Sequence, residues 1–97
     1  MEKIKSFIII PKKVLYDKNL SQGAKLLYGE IYSLCKGKGF CWAENSHFES
    51  LYDSGERTIV RWINQLVDNG YINREIKYNV NGKTVRYLTI NFDIFNE

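Results

Sequence analysis

The stretch YDSGERTIVRWINQLVDNGYINRE, residues 52–75, combines a polar turn, an amphipathic segment and the start of a strand. The letters DSG at residues 53–55 are typical of a turn. Apolar residues then recur at three- and four-residue steps, which predicts a helix from about Arg57 to Asn69. Gly70 is the residue type that commonly follows a helix end. The arginines of this helix either form an ordinary solvated face or point at a negatively charged partner.

Helical geometry divides this segment into two faces. With Arg57 at zero, Arg61 lies at about 40° and Asn64 at about 340°. Val60 lies at about 300°, and four apolar side chains fall between about 140° and 240°: Ile59, Trp62, Ile63 and Leu66. We therefore expect an outer arginine stripe opposite an inner apolar face, with Trp62 and Ile63 largely buried against the preceding long helix.

The segments before this helix predict two more helices and two extended pieces. Ser21 is a plausible N-cap of a helix over residues 22–36. Its apolar face consists of Ala24, Leu27, Tyr28, Ile31 and Leu34. The β-branched run Ile8–Ile10 favours a strand, and Phe40–Ala43 favours a short extended piece. Asn45 is expected to cap a short helix with Phe48, Leu51 and Tyr52 on its inner face.

Two β-rich segments follow, and Asn81-Gly82 between them is a strong hairpin signal. A two-residue turn there would place Lys77 opposite Arg86, with Lys83 at the tip. Like charges across strands are unfavourable, and a phosphate backbone beside them would relieve the repulsion. A solvated hairpin with a bulge that separates the pair is the alternative. Arg74 is left open, because it could equally pair with Glu75 or Glu56.

The order of elements predicts the fold class. Two helices joined by a turn of about three residues make a helix-turn-helix, and a following hairpin makes a wing. We expect an α+β winged helix-turn-helix with three helices, a C-terminal β-hairpin wing and a short extra strand. The 97 residues are predicted to form a single domain, 1–97.

The outer stripe suits double-stranded DNA. Arginine can donate a bidentate pair to guanine, and asparagine can pair with adenine in the same way. Thr58, near the free amides of the helix start, can hold a phosphate. The predicted base-reading residues are Arg57, Arg61 and Asn64, and the predicted backbone contacts are Thr58, Lys77, Lys83 and Arg86. The plainer interpretation, arginines that only meet solvent, stays open at this point.

Composition narrows the function classes. The net charge is +3, with 14 basic and 11 acidic residues, which is compatible with nucleic acid but far from a polycationic tail. No apolar run approaches the roughly 20 residues of a membrane span. No signal-peptide cleavage site follows the apolar start, so a cytoplasmic location is expected. Cys35, Cys41 and the lone His47 form no recognisable catalytic or zinc pattern. We expect a protein without enzyme activity, cofactor or metal, with both thiols reduced and buried.

Several separated blocks resemble one family. These are AKLLYGEI at Ala24–Ile31, CWA at Cys41–Ala43, RWI at Arg61–Ile63 and GYI at Gly70–Ile72. Together they resemble the winged helix-turn-helix domain near the start of phage and plasmid replication proteins of Gram-positive bacteria, over about residues 7–90. The resemblance implies that the helix over 56–69 is a recognition helix and the hairpin a wing. It also implies replication initiation or transcription control of a mobile element.

The sequence departs from that family in three places. The turn usually reads Gly-Val-Ser, but here it is Asp-Ser-Gly at 53–55, which moves the serine cap or replaces it by glycine. Val60 stands where a polar residue is common, and Glu56 would repel phosphate. The modest net charge, Val60 and Glu56 favour an alternative, a winged-helix protein-interaction module such as a phage-encoded inhibitor or replisome adaptor. A homodimer, replication proteins as partners, and a longer parent protein are all left open.

Overall fold

The fold follows the predicted order of elements and adds a short helix at the start. The structure is a computed structural model that describes residues 6–96. Its elements are helices α1 (Lys12–Leu15), α2 (Gln22–Cys35), α3 (Asn45–Tyr52) and α4 (Glu56–Asp68), strands β1 (Ile72–Tyr78) and β2 (Thr84–Ile90), and a final 3-10 turn, Phe92–Phe95. The α+β winged helix-turn-helix architecture is confirmed, with four α-helices where the sequence predicted three. The additional helix is the single turn α1, which packs on α2.

Helix α2 begins at the predicted cap. The Ser21 hydroxyl accepts a hydrogen bond from the Ala24 amide, and the Ser21 amide and hydroxyl both donate to the side-chain carbonyl of Gln65 on α4. The start of α2 is therefore tied to α4. The prediction that Leu34 lies on the inner face of α2 is wrong. Leu34 is exposed, and Cys35, one position later, is buried.

The turn between α3 and α4 is built by backbone conformation more than by side-chain caps. Asp53 ends α3 in the left-handed region at φ 49°, which asparagine and aspartate tolerate better than most residues. Gly55 is the N-cap of α4 and supplies no side-chain hydrogen bond. Ser54, considered above as a shifted cap, donates its hydroxyl proton to the carbonyl of Tyr52 instead.

The prediction for the start of α3 was wrong by one residue. Asn45 is the first helical residue, and Glu44 occupies the cap position without a side-chain hydrogen bond. The Asn45 side chain is engaged elsewhere, because its oxygen accepts a hydrogen bond from Arg86 of β2. Leu51 is exposed and not on the inner face, whereas Phe48 is fully buried.

Helix α4 ends where the sequence predicted. Gly70 has φ 81°, a left-handed conformation that glycine adopts without cost. The Gly70 amide donates to the carbonyl of Val67, and the Tyr71 amide donates to that of Leu66. These two bonds form a Schellman motif, which satisfies the last carbonyls of the helix and turns the chain into β1.

The core lies between α2, α4 and the base of the hairpin. Ile59, Ile63 and Leu66 are buried as predicted. Trp62 is only half-buried, which corrects the expectation that it would be largely buried. Its indole covers Gly23 of α2 so closely that a Cβ at Gly23 would overlap the ring. Trp62 therefore packs on α2, as expected, but at the rim of the core.

The run Ile8–Ile10 does not form a strand. Within residues 6–96, the only strand ladder joins β1 to β2, so this segment has no strand to pair with. The run packs instead on helices: Ile10 contacts the core, and Ile8 lies against Gly29 of α2. A β-branched run next to a proline favoured extended backbone, but pairing depends on tertiary neighbours that local propensity does not specify.

The hairpin register differs from the prediction by one residue. Lys77 pairs with Val85 and Arg86 with Ile76. The connection is longer than two residues because Asn79 organises it: the Gly82 amide donates to the Asn79 carbonyl, and the Asn79 side chain accepts from the Lys83 amide. Gly82 has φ 77°, the left-handed residue that follows a turn and forms a bulge.

The short extra strand is present in minimal form. Cys41 forms a single antiparallel bridge with Leu88 of β2, and the two backbones exchange both hydrogen bonds at 2.8 Å. The extended segment around Cys41 thereby lies beside the hairpin as a short third backbone segment, on the side of β2 away from β1.

Candidate nucleic-acid interface

The outer side of α4 presents the side chains that helix geometry predicted. Arg57 and Arg61 are exposed, and Thr58 and Asn64 are half-buried. Val60 is 38% exposed on the same side. The opposite side of the helix is locked in the core, so the two guanidinium groups stand on a rigid support.

The start of α4 is open to a ligand but carries a negative charge. With Gly55 as its cap, the helix has no side chain occupying its first amide groups, and such amides attract anions. Glu56, in the first turn, is exposed. This carboxylate stabilises the helix dipole and at the same time opposes a phosphate at that end.

A hydrogen bond that the sequence did not predict joins α4 to the wing. The Arg74 guanidinium on β1 donates to the Asn64 side-chain oxygen at 2.7 Å. Arg74 thus pairs with neither of the two glutamates considered for it. The contact fixes one of the predicted base-reading side chains and places a third arginine next to the outer stripe.

The two basic residues expected to face each other across the hairpin lie on opposite faces. The bulge puts Arg86 on the inner face, with Ile76 as its cross-strand neighbour, and Lys77 on the outer face. Lys77 lies 5.5 Å from the centre of the Tyr87 ring and 3.8 Å from a carboxylate oxygen of Glu75. The alternative of a bulge that separates the pair is the one observed.

Arg86 is engaged inside the protein. Its guanidinium donates to the Asn45 side chain at 2.6 Å and to the Ala43 carbonyl at 2.8 Å. Burial lowers the pKa of this guanidinium from its usual value, although arginine stays charged throughout the ordinary pH range. The structure therefore gives Arg86 a bracing role between β2 and the start of α3, with both terminal guanidinium nitrogens engaged in hydrogen bonds within the protein.

The distal half of the wing is exposed and partly apolar. Ile76 and Tyr78 follow Arg74 on the same face of β1, and they are 58% and 76% exposed. Val80 and Lys83 stand at the tip, both exposed. Sequence reasoning missed this apolar edge, although the two-residue alternation from Arg74 to Tyr78 was a signal that could have shown it.

The two cysteines are buried and form no disulfide. Cys35 and Cys41 are free and buried, and burial raises the pKa of the Cys35 thiol to about 11 and that of Cys41 in the same direction. Raised pKa values disfavour the nucleophilic thiolate. Over residues 6–96, no group of His, Cys, Asp or Glu side chains is arranged to hold a metal ion. In the same range no helix is long and apolar enough to cross a membrane.

Comparisons with known proteins show which family and which solved structure this fold is similar to. A family model described as a helix-turn-helix domain matches residues 18–72. A solved structure described as the N-terminal domain of a DNA binding protein superposes with a TM-score of 0.67, covering 95% of this chain and 83% of that chain. The two sequences are 15% identical, so the likeness concerns the fold. A comparison with curated proteins gave no match.

Proposed function

The chain belongs to the helix-turn-helix domain family, and from that premise we propose that it binds double-stranded DNA with a preference for sequence. In this proposal α4 enters the major groove and the hairpin lies along the flanking backbone. The protein acts by binding, without a catalytic step, cofactor or metal.

One observation carries the proposal: Arg57 and Arg61 are exposed on a helix whose other side is fixed in the core. Base readout needs side chains that stay in register with the groove, and a rigid helix provides this. Either guanidinium can donate two hydrogen bonds to one guanine.

The wing contributes in two ways. Arg74 links the wing to Asn64 of the recognition helix at 2.7 Å, so both elements can engage the same duplex. Lys83 at the exposed tip is placed to meet a phosphate, and Lys77 can do so from the outer face after releasing Glu75. Thr58 completes the phosphate contacts at the start of α4.

The biological role is drawn from the resemblance described above. It supports replication initiation or transcription control of a phage or plasmid, in the cytoplasm, with other replication proteins as partners. Recognition of a palindromic site would require a homodimer, since two-fold DNA symmetry mirrors two-fold protein symmetry.

A second candidate function is protein binding through the same face. The exposed apolar residues Val60, Ile76 and Tyr78, together with Glu56 at the start of α4, favour this candidate. The Glu56 carboxylate would repel a phosphate at this position, whereas it could pair with a basic side chain of a protein partner. In this second candidate function the domain acts as an inhibitor of another protein of the phage or plasmid, or as an adaptor in its replication machinery.

The test is duplex binding measured over a series of salt concentrations, after selection from a random duplex pool. We expect a saturable complex whose log affinity falls linearly with log salt, by about 0.9 per phosphate neutralised. Lys12→Ala, a charge removed from α1, is the matched control and should leave the affinity unchanged. Absence of binding to every duplex at low salt would contradict the proposal and favour the protein-binding candidate.

A further inference from the structure

The outer face of the wing sheet carries three aromatic rings in contact. The bridge between Cys41 and Leu88 turns both of their side chains inward. Phe40 and Trp42 therefore project outward, where Phe40 contacts both Trp42 and Tyr87 of β2. The Phe40 ring centre lies 5.1 Å from that of Tyr87 and 5.8 Å from that of Trp42, both edge to face.

Two lysines stand over this aromatic face. The Lys38 ammonium lies 4.3 Å from the centre of the Trp42 ring, and the Lys77 ammonium lies 5.5 Å from that of Tyr87. Trp42 is 55% exposed, a large fraction for an indole. A carboxylate also lies on this face: Glu75, opposite Tyr87, is 3.8 Å from Lys77.

We propose that this face, formed by Phe40, Trp42 and Tyr87 with Lys38 and Lys77, binds the unpaired bases of a single-stranded nucleic acid. Aromatic ring faces stack on bases of any sequence, because every base has a π-face, and the cations beside Trp42 and Tyr87 suit the backbone that joins the bases. Sheet faces with exposed aromatic rings bind single strands in the same way.

Binding of a base would exchange a lysine–ring contact for a lysine–phosphate contact. Each ammonium now occupies the position over a ring that an incoming base would take. When a base stacks on Trp42, the Lys38 ammonium moves aside to the neighbouring phosphate, so one ion contact replaces one cation–π contact. A protein partner fits less well, because lysine is depleted at protein interfaces.

This site shares Lys77 with the one proposed for duplex DNA but is otherwise built from different residues. The inner face of the sheet packs on the helices through Ile72, Leu88 and Ile90, which are buried. The aromatic face lies on the other side of the sheet from these residues, and paired bases inside a duplex are already stacked. The inference therefore goes beyond duplex binding and does not depend on it.

The experiment measures binding of an oligothymidylate of about twelve nucleotides, a length within the usual single-strand site sizes. An abasic strand with the same number of phosphates is the comparison ligand. We expect the oligothymidylate to bind more tightly than the abasic strand. Trp42→Ala should weaken its binding by about five- to one-hundred-fold. Lys38→Gln should lower the salt slope by somewhat under one unit, as expected for one single-strand phosphate contact.

Two controls make the outcome decisive. Tyr16→Ala removes an exposed aromatic side chain at the end of α1 and should leave oligothymidylate binding unchanged. Arg61→Ala should also leave it unchanged, even if duplex binding is lost. Equal binding of the abasic strand, or full affinity in a folded Trp42→Ala protein, would overturn the proposal. Loss of binding in Arg61→Ala alone would instead locate the single strand on α4.

Discussion

Helix α4 and the β1–β2 hairpin both carry side chains proposed to contact DNA, but the fold holds them differently. The inner side of α4 is buried along its length, with Ile59 and Leu66 fully inaccessible. The hairpin is buried only at its base, where Ile72 and Ile90 pair, and Val80 at its tip is fully exposed. Changes to the inner side of α4 should therefore act on stability, and changes to the exposed tip and outer face of the wing should act on binding alone.

The largest expected effect tests the buried side of this comparison. Ile63 is 2% exposed on the inner side of α4, so Ile63→Ala leaves a cavity in the core. We expect a loss of about 2–5 kcal/mol in the free energy of unfolding, measured by chemical denaturation. Val80→Ala on the wing is the matched control and should change stability by less than about 0.5 kcal/mol. Equal effects of the two substitutions would remove the distinction between the two regions.

The second prediction concerns Arg86, which the sequence suggested as a phosphate contact. Arg86→Ala removes hydrogen bonds to Asn45 and to the Ala43 carbonyl, so stability should fall by about 1–3 kcal/mol. Lys77→Ala, on the opposite and exposed face of the hairpin, should fall within about 0.5 kcal/mol of the parent protein. If Arg86→Ala keeps full stability and loses duplex affinity, the sequence-based assignment would be the better one.

The same two regions differ in how well the sequence predicted them. The faces of α4 followed from 3.6-residue periodicity, because a helix fixes the direction of each side chain locally. In the hairpin, one residue decides which face every side chain occupies. Asn81-Gly82 indicated a two-residue turn, but Asn79 accepts hydrogen bonds that lengthen the loop. That local competition reversed the faces of Lys77 and Arg86 relative to each other.

A smaller effect should appear as a change with pH. The Tyr71 hydroxyl donates to the Asp17 carboxylate at 2.7 Å, and this bond, with one from the Asn19 amide, lowers the pKa of Asp17 from its usual value. A carboxyl whose pKa is lower in the folded state stabilises the fold above its unfolded pKa, about 3.9. That contribution disappears as the pH falls through the folded pKa.

Tyr71→Phe tests this contact. We expect the variant to be less stable than the parent near neutral pH, with a difference that shrinks as the solution is acidified below about pH 4. Denaturation at a series of pH values measures the difference. A constant difference across the acid range would mean that the other hydroxyl contact, to the Lys13 carbonyl, and not the bond to Asp17, is responsible.

The smallest expected effect concerns the thiols. Cys35→Ser and Cys41→Ala should leave duplex affinity unchanged, because both residues are buried away from the outer stripe of α4. The Cys35 thiol donates weakly to the Leu88 carbonyl, and a serine hydroxyl can do the same. Loss of DNA binding together with measurable bound zinc in the parent protein would overturn this expectation.

The candidate site was predictable where it depended on a single element. Arg57 and Arg61 could be placed from spacing alone. The contact between Asn64 and Arg74, and the brace between Arg86 and Asn45, join residues that are far apart in sequence. Such pairs depend on how α3, α4 and the hairpin pack together, and a single sequence carries no direct signal of that packing.

The central claim, that α4 reads bases while the wing holds backbone, can be tested in one measurement. Arg61→Ala and Lys83→Ala are each titrated with a selected and a scrambled duplex at several salt concentrations. Arg61→Ala should cost about 1–3 kcal/mol on the selected duplex and relax the preference at one base position. Lys83→Ala should weaken both duplexes alike and lower the salt slope by about one unit. If Arg61→Ala leaves both affinity and sequence preference unchanged, α4 is not the reading element and the account is contradicted.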